Sequence, residues 1–189
     1  MQRTRHQLFI FLFLILPLVS YACNSKTESV YTTISEATLS TGDPIPTPSE
    51  DIILTVTGNI GTSNETDQIV MDIPTIESLG QVEYTVLDPF KDEEIIYTGV
   101  LMSDLLDLWQ ISEDATNLQM TALNDYTVDV PISLIREFPV IFALQADGQY
   151  MPIADKGPAM LVLPYNHFEF ERPSSDAYWI WQIKSIDVN

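Results

Sequence analysis

Cysteine and histidine are scarce in this sequence of 189 residues, with one cysteine and two histidines. A single cysteine excludes an intramolecular disulfide, a CxxC redox pair and a cysteine-rich zinc site. Only His167 lies in the body of the chain, so a multi-histidine metal centre or a mechanism that needs two histidines is disfavoured. We assign His167 no role.

Basic residues are also few, since 8 Lys and Arg face 27 Asp and Glu. From residue 23 onward only 6 bases remain against all 27 acids, because Arg3 and Arg5 precede that point. Such a surface repels phosphate backbones, so nucleic-acid binding is excluded. Hydrophobic residues nevertheless make up 46% of the chain, which predicts one folded domain with a sizeable core rather than an acidic disordered chain.

Several common catalytic motifs are absent. The sequence has no GxGxxG, GxxxxGK[ST], HExxH or GxSxG segment. Its carboxylates are scattered along the chain, and no pair has a spacing that indicates general acid–base catalysis. We therefore predict neither catalytic residues nor a bound metal.

The first 22 residues are typical of an export signal. Arg3 and Arg5 precede a twelve-residue apolar run at 8–19, and Ser20-Tyr21-Ala22 places small residues at a cleavage site. The run is short for a membrane helix, which needs about 20 residues. An uncleaved membrane anchor remains the alternative.

Cys23 directly follows the predicted cleavage site and resembles the lipid acceptor of a bacterial lipoprotein. Members of that class usually have Leu where Ser20 stands. The resemblance implies a lipid anchor on Cys23 and a location in the bacterial periplasm or on another extracytoplasmic membrane face. Simple secretion is the alternative.

Residues 23–50 are rich in Ser, Thr and Pro and carry few large apolar side chains. Such a segment buries too little surface to offset its ordering entropy, so we predict a flexible tether. Prolines at 44, 46 and 48 stiffen its far end. The folded domain is then predicted over 51–189.

Within 51–189 the pattern predicts a β-rich α+β domain with short helices and a mixed sheet. Ser103 and Asp104 form a plausible cap for one of the helices. We predict helices at 74–79, 103–110 and 131–138, and strands at 52–58, 68–72, 82–87, 93–98, 117–123, 126–130, 140–145, 160–163 and 178–188.

Six segments follow one another in an informative order. They are a strand ending in Gly58, YTGVLMSDLL at 97–106, NDY at 124–126, VIFALQADG at 140–148, KGP at 156–158 and WQIKSI at 181–186. In this order and spacing they resemble the molybdopterin-binding domain of the sulfite oxidase superfamily, and above all its small, exported, stand-alone versions. The resemblance covers 52–188 and implies the sulfite-oxidase-type fold.

The resemblance also implies a cleft that binds a pterin or a molybdopterin-like ligand. A flat pterin ring would stack on Trp or Tyr, and backbone amides beside a Gly-Pro loop would meet its polar edge. Core packing explains the tryptophans equally well, and Lys156 and Arg172 also fit as surface charges. The implied cleft residues are Asn124, Asp125, Tyr126, Lys156, Gly157, Pro158, Tyr165, Arg172 and Trp181.

Two departures from the family pattern shape the predicted function. Catalytic members bind molybdenum through a cysteine thiolate, and 24–189 contains no cysteine. Relatives also tend to have Arg just before the final Trp-Gln, where this chain has Tyr178-Trp179. We therefore expect a non-catalytic pterin-binding protein without metal. The resemblance implies a ligand sensor for a membrane-bound cyclic-di-GMP enzyme.

Two other functions remain open at this point. One is a molybdenum-cofactor oxidoreductase or its accessory subunit. The other is a structural or interaction lipoprotein that kept the fold and lost the ligand.

Overall fold

A computed structural model describes residues 29–172 and 174–189 of the chain. The predicted export signal at 1–22 and the predicted lipid acceptor Cys23 lie outside these residues. No helix within the described ranges has the length and apolar character needed to cross a membrane.

The described residues form two β-sheets of six and five strands. The strands are β1 (Thr32–Thr33), β2 (Leu54–Gly58), β3 (Ile69–Met71), β4 (Val82–Asp88), β5 (Glu93–Leu101), β6 (Asn117–Ala122), β7 (Thr127–Pro131), β8 (Ile141–Ala146), β9 (Gln149–Tyr150), β10 (Met160–Val162) and β11 (Ile183–Val188). The first sheet has the order β1-β4-β5-β8-β10, and β9 also pairs with β8. The second sheet has the order β3-β2-β11-β6-β7, in which β11 pairs with β2 in parallel.

Short helices connect the strands. They are α1 (Ile73–Glu77), α2 (Met102–Leu108), α3 (Ile132–Glu137) and a 3-10 helix (Ser174–Tyr178). The predicted β-rich α+β class with short helices and mixed sheet pairing is therefore confirmed.

One buried apolar cluster takes side chains from both sheets. Burial alternates along β4, which is typical of a strand with one face on the core. β8 lies inside the first sheet, between β5 and β10. Four successive residues of this strand are buried, so both of its faces are covered there. Burial of this apolar surface is the main force that holds the two sheets together.

Residues 29–50 pack on the domain, whereas the sequence predicts a flexible tether there. β1 pairs with β4, and the side chains of Leu39 and Ile45 belong to the buried core. The backbone N–H of Ser49 donates to Asp72 Oδ2 at 2.6 Å. The folded unit therefore begins well before the predicted boundary. Leu39 and Ile45 are isolated among Ser, Thr and Pro residues, so no periodic apolar pattern marks them.

The last predicted strand, at 178–188, is a strand only over its second half. β11 begins at Ile183, and Gln182 just before it has a left-handed backbone with φ of 58°. This conformation interrupts the β-ladder. Trp179 and Trp181 therefore do not share a strand face, and their side chains differ in exposure, at 1% and 37%.

Helix α2 begins without the predicted Ser103 cap. Leu101 precedes the helix in extended conformation and makes no side-chain cap hydrogen bond. The N–H of Met102 instead donates to the carbonyl of Val140 at 2.9 Å. β5 thus continues directly into α2, and the neighbouring chain satisfies one of the free amides at the start of the helix.

Candidate functional site

A cleft of about 440 Å³ opens where three connecting segments meet. They are the β4–β5 turn, the β6–β7 turn and the stretch from the 3-10 helix to the start of β11. This volume lies within the range of small-molecule pockets, about 300 to 1,000 Å³. The cleft is lined by Phe90, Ala122, Asn124, Tyr126, Asp176, Ala177, Trp179, Ile180 and Trp181.

Aromatic rings dominate the cleft. Phe90 and Trp181 meet edge to face with ring centroids 5.2 Å apart, and each is partly exposed. Tyr126 is 52% exposed. Trp179 is buried, and its Nε1 has no hydrogen-bond partner among the described residues, as is also true of Trp109 in the core. Buried donors without a partner are rare.

The Asn124–Tyr126 turn is shaped by its own side chains. Asp125 has a left-handed backbone with φ of 65°, which Asp tolerates better than most residues. Asn124 Oδ1 accepts from the N–H of Tyr126 at 3.1 Å. Lys184 Nζ lies 2.5 Å from Asp125 Oδ1, and this hydrogen bond and charge lower the pKa of Asp125. Asn124 and Tyr126 thus line the cleft, while Asp125 holds Lys184 outside it.

Lys156 lies at the edge of the cleft but is already paired. Its Nζ is 2.5 Å from Asp88 Oδ2, and it lies 5.8 Å and 5.9 Å from the ring centroids of Phe90 and Trp181. Asp88 is fully buried and also accepts from the Tyr97 hydroxyl at 2.6 Å. Lys156 is therefore the counter-ion of a buried carboxylate, and it also packs on the aromatic edge of the cleft.

The electrostatics of Asp88 follow from its partners. Desolvation raises the pKa of this carboxyl, but the hydrogen bonds from Lys156, Tyr97 and the amide of Phe90 outweigh it, and the net pKa is lowered. The pKa of Tyr97 is raised strongly, first by burial and then by its hydrogen bond to Asp88. Asp88 is therefore ionised and Tyr97 protonated at neutral pH.

Gly157 and Pro158 do not reach the cleft. The N–H of Gly157 donates to the carbonyl of Pro152 at 3.0 Å, so it is not free to hold a ring edge as the sequence suggested. A Cβ at Gly157 would overlap the carbonyl oxygen of Met151, which explains the glycine. Pro158 instead lines a separate surface cavity of about 660 Å³ that also contains Lys184.

Tyr165 and Arg172 act on the cleft through Asp176. Arg172 Nε lies 2.6 Å from Asp176 Oδ1, and its guanidinium stacks 4.7 Å from the Tyr165 ring centroid. The Tyr165 hydroxyl donates to the same oxygen at 3.0 Å. Burial, together with the Asp176 contact, raises the pKa of Tyr165 to about 12. Both residues therefore position Asp176, which lines the cleft itself.

Every Lys and Arg of the described ranges is paired with a carboxylate. The pairs are Lys91–Asp155, Arg136–Asp107, Lys156–Asp88, Arg172–Asp176 and Lys184–Asp125. Among the same residues, no group of three or more His, Cys, Asp or Glu side chains is placed to hold a metal ion.

The structure brings together part of the predicted site and adds residues to it. Of the residues named from the sequence, Asn124, Tyr126 and Trp181 line this cleft. Phe90 and Asp176 were missed, because each lies in a polar loop that reads as a turn. An aromatic residue inside the charged turn DPFKD was the available signal for Phe90.

Residues 92–169 match the family model of the oxidoreductase molybdopterin binding domain. No curated protein sequence matches the chain. Among solved structures, the chain is similar to the sulfane dehydrogenase SoxCD from Paracoccus pantotrophus, with a TM-score of 0.55 and 15% sequence identity. The aligned part covers 71% of this chain and 37% of that one, and at this identity the similarity concerns the fold. The family match over 92–169 and the similarity of fold therefore support the molybdopterin-binding type of domain that the sequence predicted.

Proposed function

We propose that this protein is an exported, lipid-anchored, non-catalytic protein that binds a pterin in the aromatic cleft. The observation that carries the proposal is the cleft itself, since a domain of the molybdopterin-binding type presents Phe90, Tyr126 and Trp181 around one small cavity. Flat heteroaromatic rings are favourable partners for such side chains.

The polar groups of the cleft suit the edge of a pterin ring. Asp176 supplies a carboxylate and Asn124 an amide. A pterin carries both N–H donors and ring acceptors along its edge, so each of these groups has a complement. The ring part of molybdopterin therefore fits the residues present, and bound molybdopterin would supply the sulfur ligands of a molybdenum centre.

We expect Trp181→Ala to weaken pterin binding about tenfold or more, because it removes the largest exposed aromatic ring of the cleft lining. Dihydroneopterin is titrated anaerobically into the full-length protein in detergent and followed by calorimetry. Tyr150→Ala is the matched control, since Tyr150 is an exposed aromatic residue outside the cleft lining. Absence of saturable binding to the wild type would refute the proposal, and unchanged binding by Trp181→Ala would remove that residue from the site.

The non-catalytic part of the proposal is tested by metal content. The protein is produced in a host that makes the molybdenum cofactor and is analysed for molybdenum. A stoichiometric amount of the metal would favour an oxidoreductase instead.

Export and lipid anchoring rest on the sequence around Cys23. We expect Cys23→Ser to move the protein from the membrane to the soluble fraction and to abolish labelling by a radioactive fatty acid, because the thiol that carries the lipid is lost. Ser25→Ala serves as the neighbouring control and should leave both readouts unchanged. Retention of Cys23→Ser in the membrane would indicate an uncleaved apolar anchor.

A sensory role is the most specific part of the proposed function, and it rests on the family resemblance. The protein would report pterin to a membrane-bound cyclic-di-GMP enzyme. Dihydroneopterin added to cells should change the cyclic-di-GMP level when they carry the wild type, and not when they carry Trp181→Ala. An identical change in the cyclic-di-GMP level in both strains would contradict the sensory role.

A further inference from the structure

The cleft lining offers no uncommitted positive charge. None of the lining residues is Lys or Arg, and the one carboxylate, that of Asp176, is paired with Arg172. The domain around the cleft is acidic, with 27 Asp and Glu against 8 Lys and Arg in the whole sequence. A phosphate group that enters this cleft therefore meets repulsion and no counter-charge in the lining.

The two nearest cations are committed to other partners. Arg172 is held 2.6 Å from Asp176, so its charge is already neutralised by the carboxylate that faces the ligand. Lys156 is the counter-ion of Asp88, whose side chain is fully buried. If a phosphate drew Lys156 away, it would leave an uncompensated charge in the core, which is strongly unfavourable. Neither cation is available to bind phosphate.

Asp176 has one oxygen left for a ligand. Within the described residues, Arg172 and Tyr165 both contact Oδ1, and no hydrogen bond reaches Oδ2. An ionised carboxylate oxygen accepts strongly from neighbouring N–H groups. The amino-pyrimidine edge of a pterin presents N–H donors, and Oδ2 can accept a hydrogen bond from one of them.

We propose, building on pterin binding as the function, that the cleft selects a flat, phosphate-free heterocycle with an N–H donor edge and discriminates against its phosphate ester. Intact molybdopterin carries a phosphate, so the charge of the cleft disagrees with that cofactor while its aromatic lining agrees with the ring. The ligand class is then an unphosphorylated pterin.

The test compares dihydroneopterin with dihydroneopterin monophosphate by calorimetry on the full-length protein. At low salt the ester should bind about tenfold more weakly or worse, because its phosphate enters an acidic domain and finds no free cation in the cleft. The difference in affinity between the two compounds should narrow at about 1 M salt, where the Debye length falls to about 3 Å. Equal affinities at low salt, or tighter binding of the ester, would overturn this inference and leave pterin binding intact. Failure of both compounds to bind would instead overturn the proposed function.

Two variants test whether the preference for the phosphate-free compound arises in the cleft. Asp176→Asn removes the repelling carboxylate and frees Arg172, so the preference for the phosphate-free compound should fall several-fold. Asp107→Asn changes the net charge equally and frees Arg136 at an exposed pair outside the cleft lining, and it should leave the preference unchanged. The same loss of preference in both variants would show that net charge, and not the cleft, discriminates.

Discussion

Lys156→Met is expected to lower the free energy of unfolding by about 4 kcal/mol, because it leaves Asp88 as a buried charge without its counter-ion. Asp88 is fully buried, and the Lys156 side chain is only 12% exposed. Solvent therefore screens this pair little. Urea denaturation at pH 7, followed by circular dichroism, measures the effect.

Lys91→Met is the matched control for this prediction. Lys91 and Asp155 form a pair 3.5 Å apart whose side chains are 38% and 62% exposed. Exposed pairs contribute about 0 to 1 kcal/mol, so this variant should remain close to the wild type. The double variant Lys156→Met with Asp88→Asn should regain most of the loss, because the amide still accepts from the Phe90 backbone without carrying a charge. If Lys156→Met and Lys91→Met lost similar amounts of unfolding free energy, Lys156 would not be the counter-ion on which buried Asp88 depends.

The loss of stability in Lys156→Met should change with pH in a defined direction. In the wild type the pKa of Asp88 is lowered, so its carboxylate stabilises the fold above the unfolded pKa of about 3.9. That contribution is lost as the pH falls through the lower folded pKa. Without Lys156 the burial of Asp88 is offset only by the hydrogen bonds from Tyr97 and Phe90, so its pKa rises. The deficit of Lys156→Met should therefore shrink between pH 7 and pH 5, whereas a constant deficit would point to lost packing.

Asp72→Ala is expected to cost about 3 kcal/mol, because one buried carboxylate caps α1 and anchors the segment before β2. Asp72 Oδ1 accepts from the N–H of Thr75 at 3.0 Å. Oδ2 accepts from the N–H groups of Ser49 and Glu50 at 2.6 Å and 2.9 Å. Urea denaturation measures the loss, and hydrogen exchange at the amides of Ser49 and Glu50 should accelerate.

Asp43→Ala provides the control, since the Asp43 side chain accepts a single hydrogen bond, from the N–H of Ser40 in an exposed turn. This change should cost less than about 1 kcal/mol. Burial raises the pKa of Asp72, but its hydrogen bonds outweigh burial and the pKa falls well below its usual range. Its contribution is therefore present above about pH 4 and is lost on further acidification. Equal losses for Asp72→Ala and Asp43→Ala would refute the anchoring role.

Local patterns in the sequence were sufficient for the class of fold and for part of the cleft. Alternating apolar residues predicted β4 closely, because successive side chains of a strand point to opposite faces, here one buried and one exposed. The Asn124–Tyr126 turn was also predictable, since the Asn side chain bonds to the backbone two residues further along. The order of such segments was enough to predict the molybdopterin-binding type of domain.

Long-range partners could not be predicted in this way. Lys156 and Asp88 are 68 residues apart, and Asp72 and Ser49 are 23 apart. Nothing local distinguishes a lysine that neutralises a buried carboxylate from one on the surface. The sequence suggested Lys156 as a ligand group, whereas the structure uses its charge inside the protein.

The sequence by itself determined that the chain is acidic, has one cysteine at a predicted cleavage site, and forms short strands and helices of a known domain type. Only the tertiary structure decided that 29–50 pack on the domain, that Phe90 meets Trp181, and that every base in the described ranges already has a carboxylate partner. The physical reason is that strand propensity and turn chemistry depend on neighbours in the chain. Burial, ion pairing and the shape of a cleft depend instead on which distant segments the two sheets bring together.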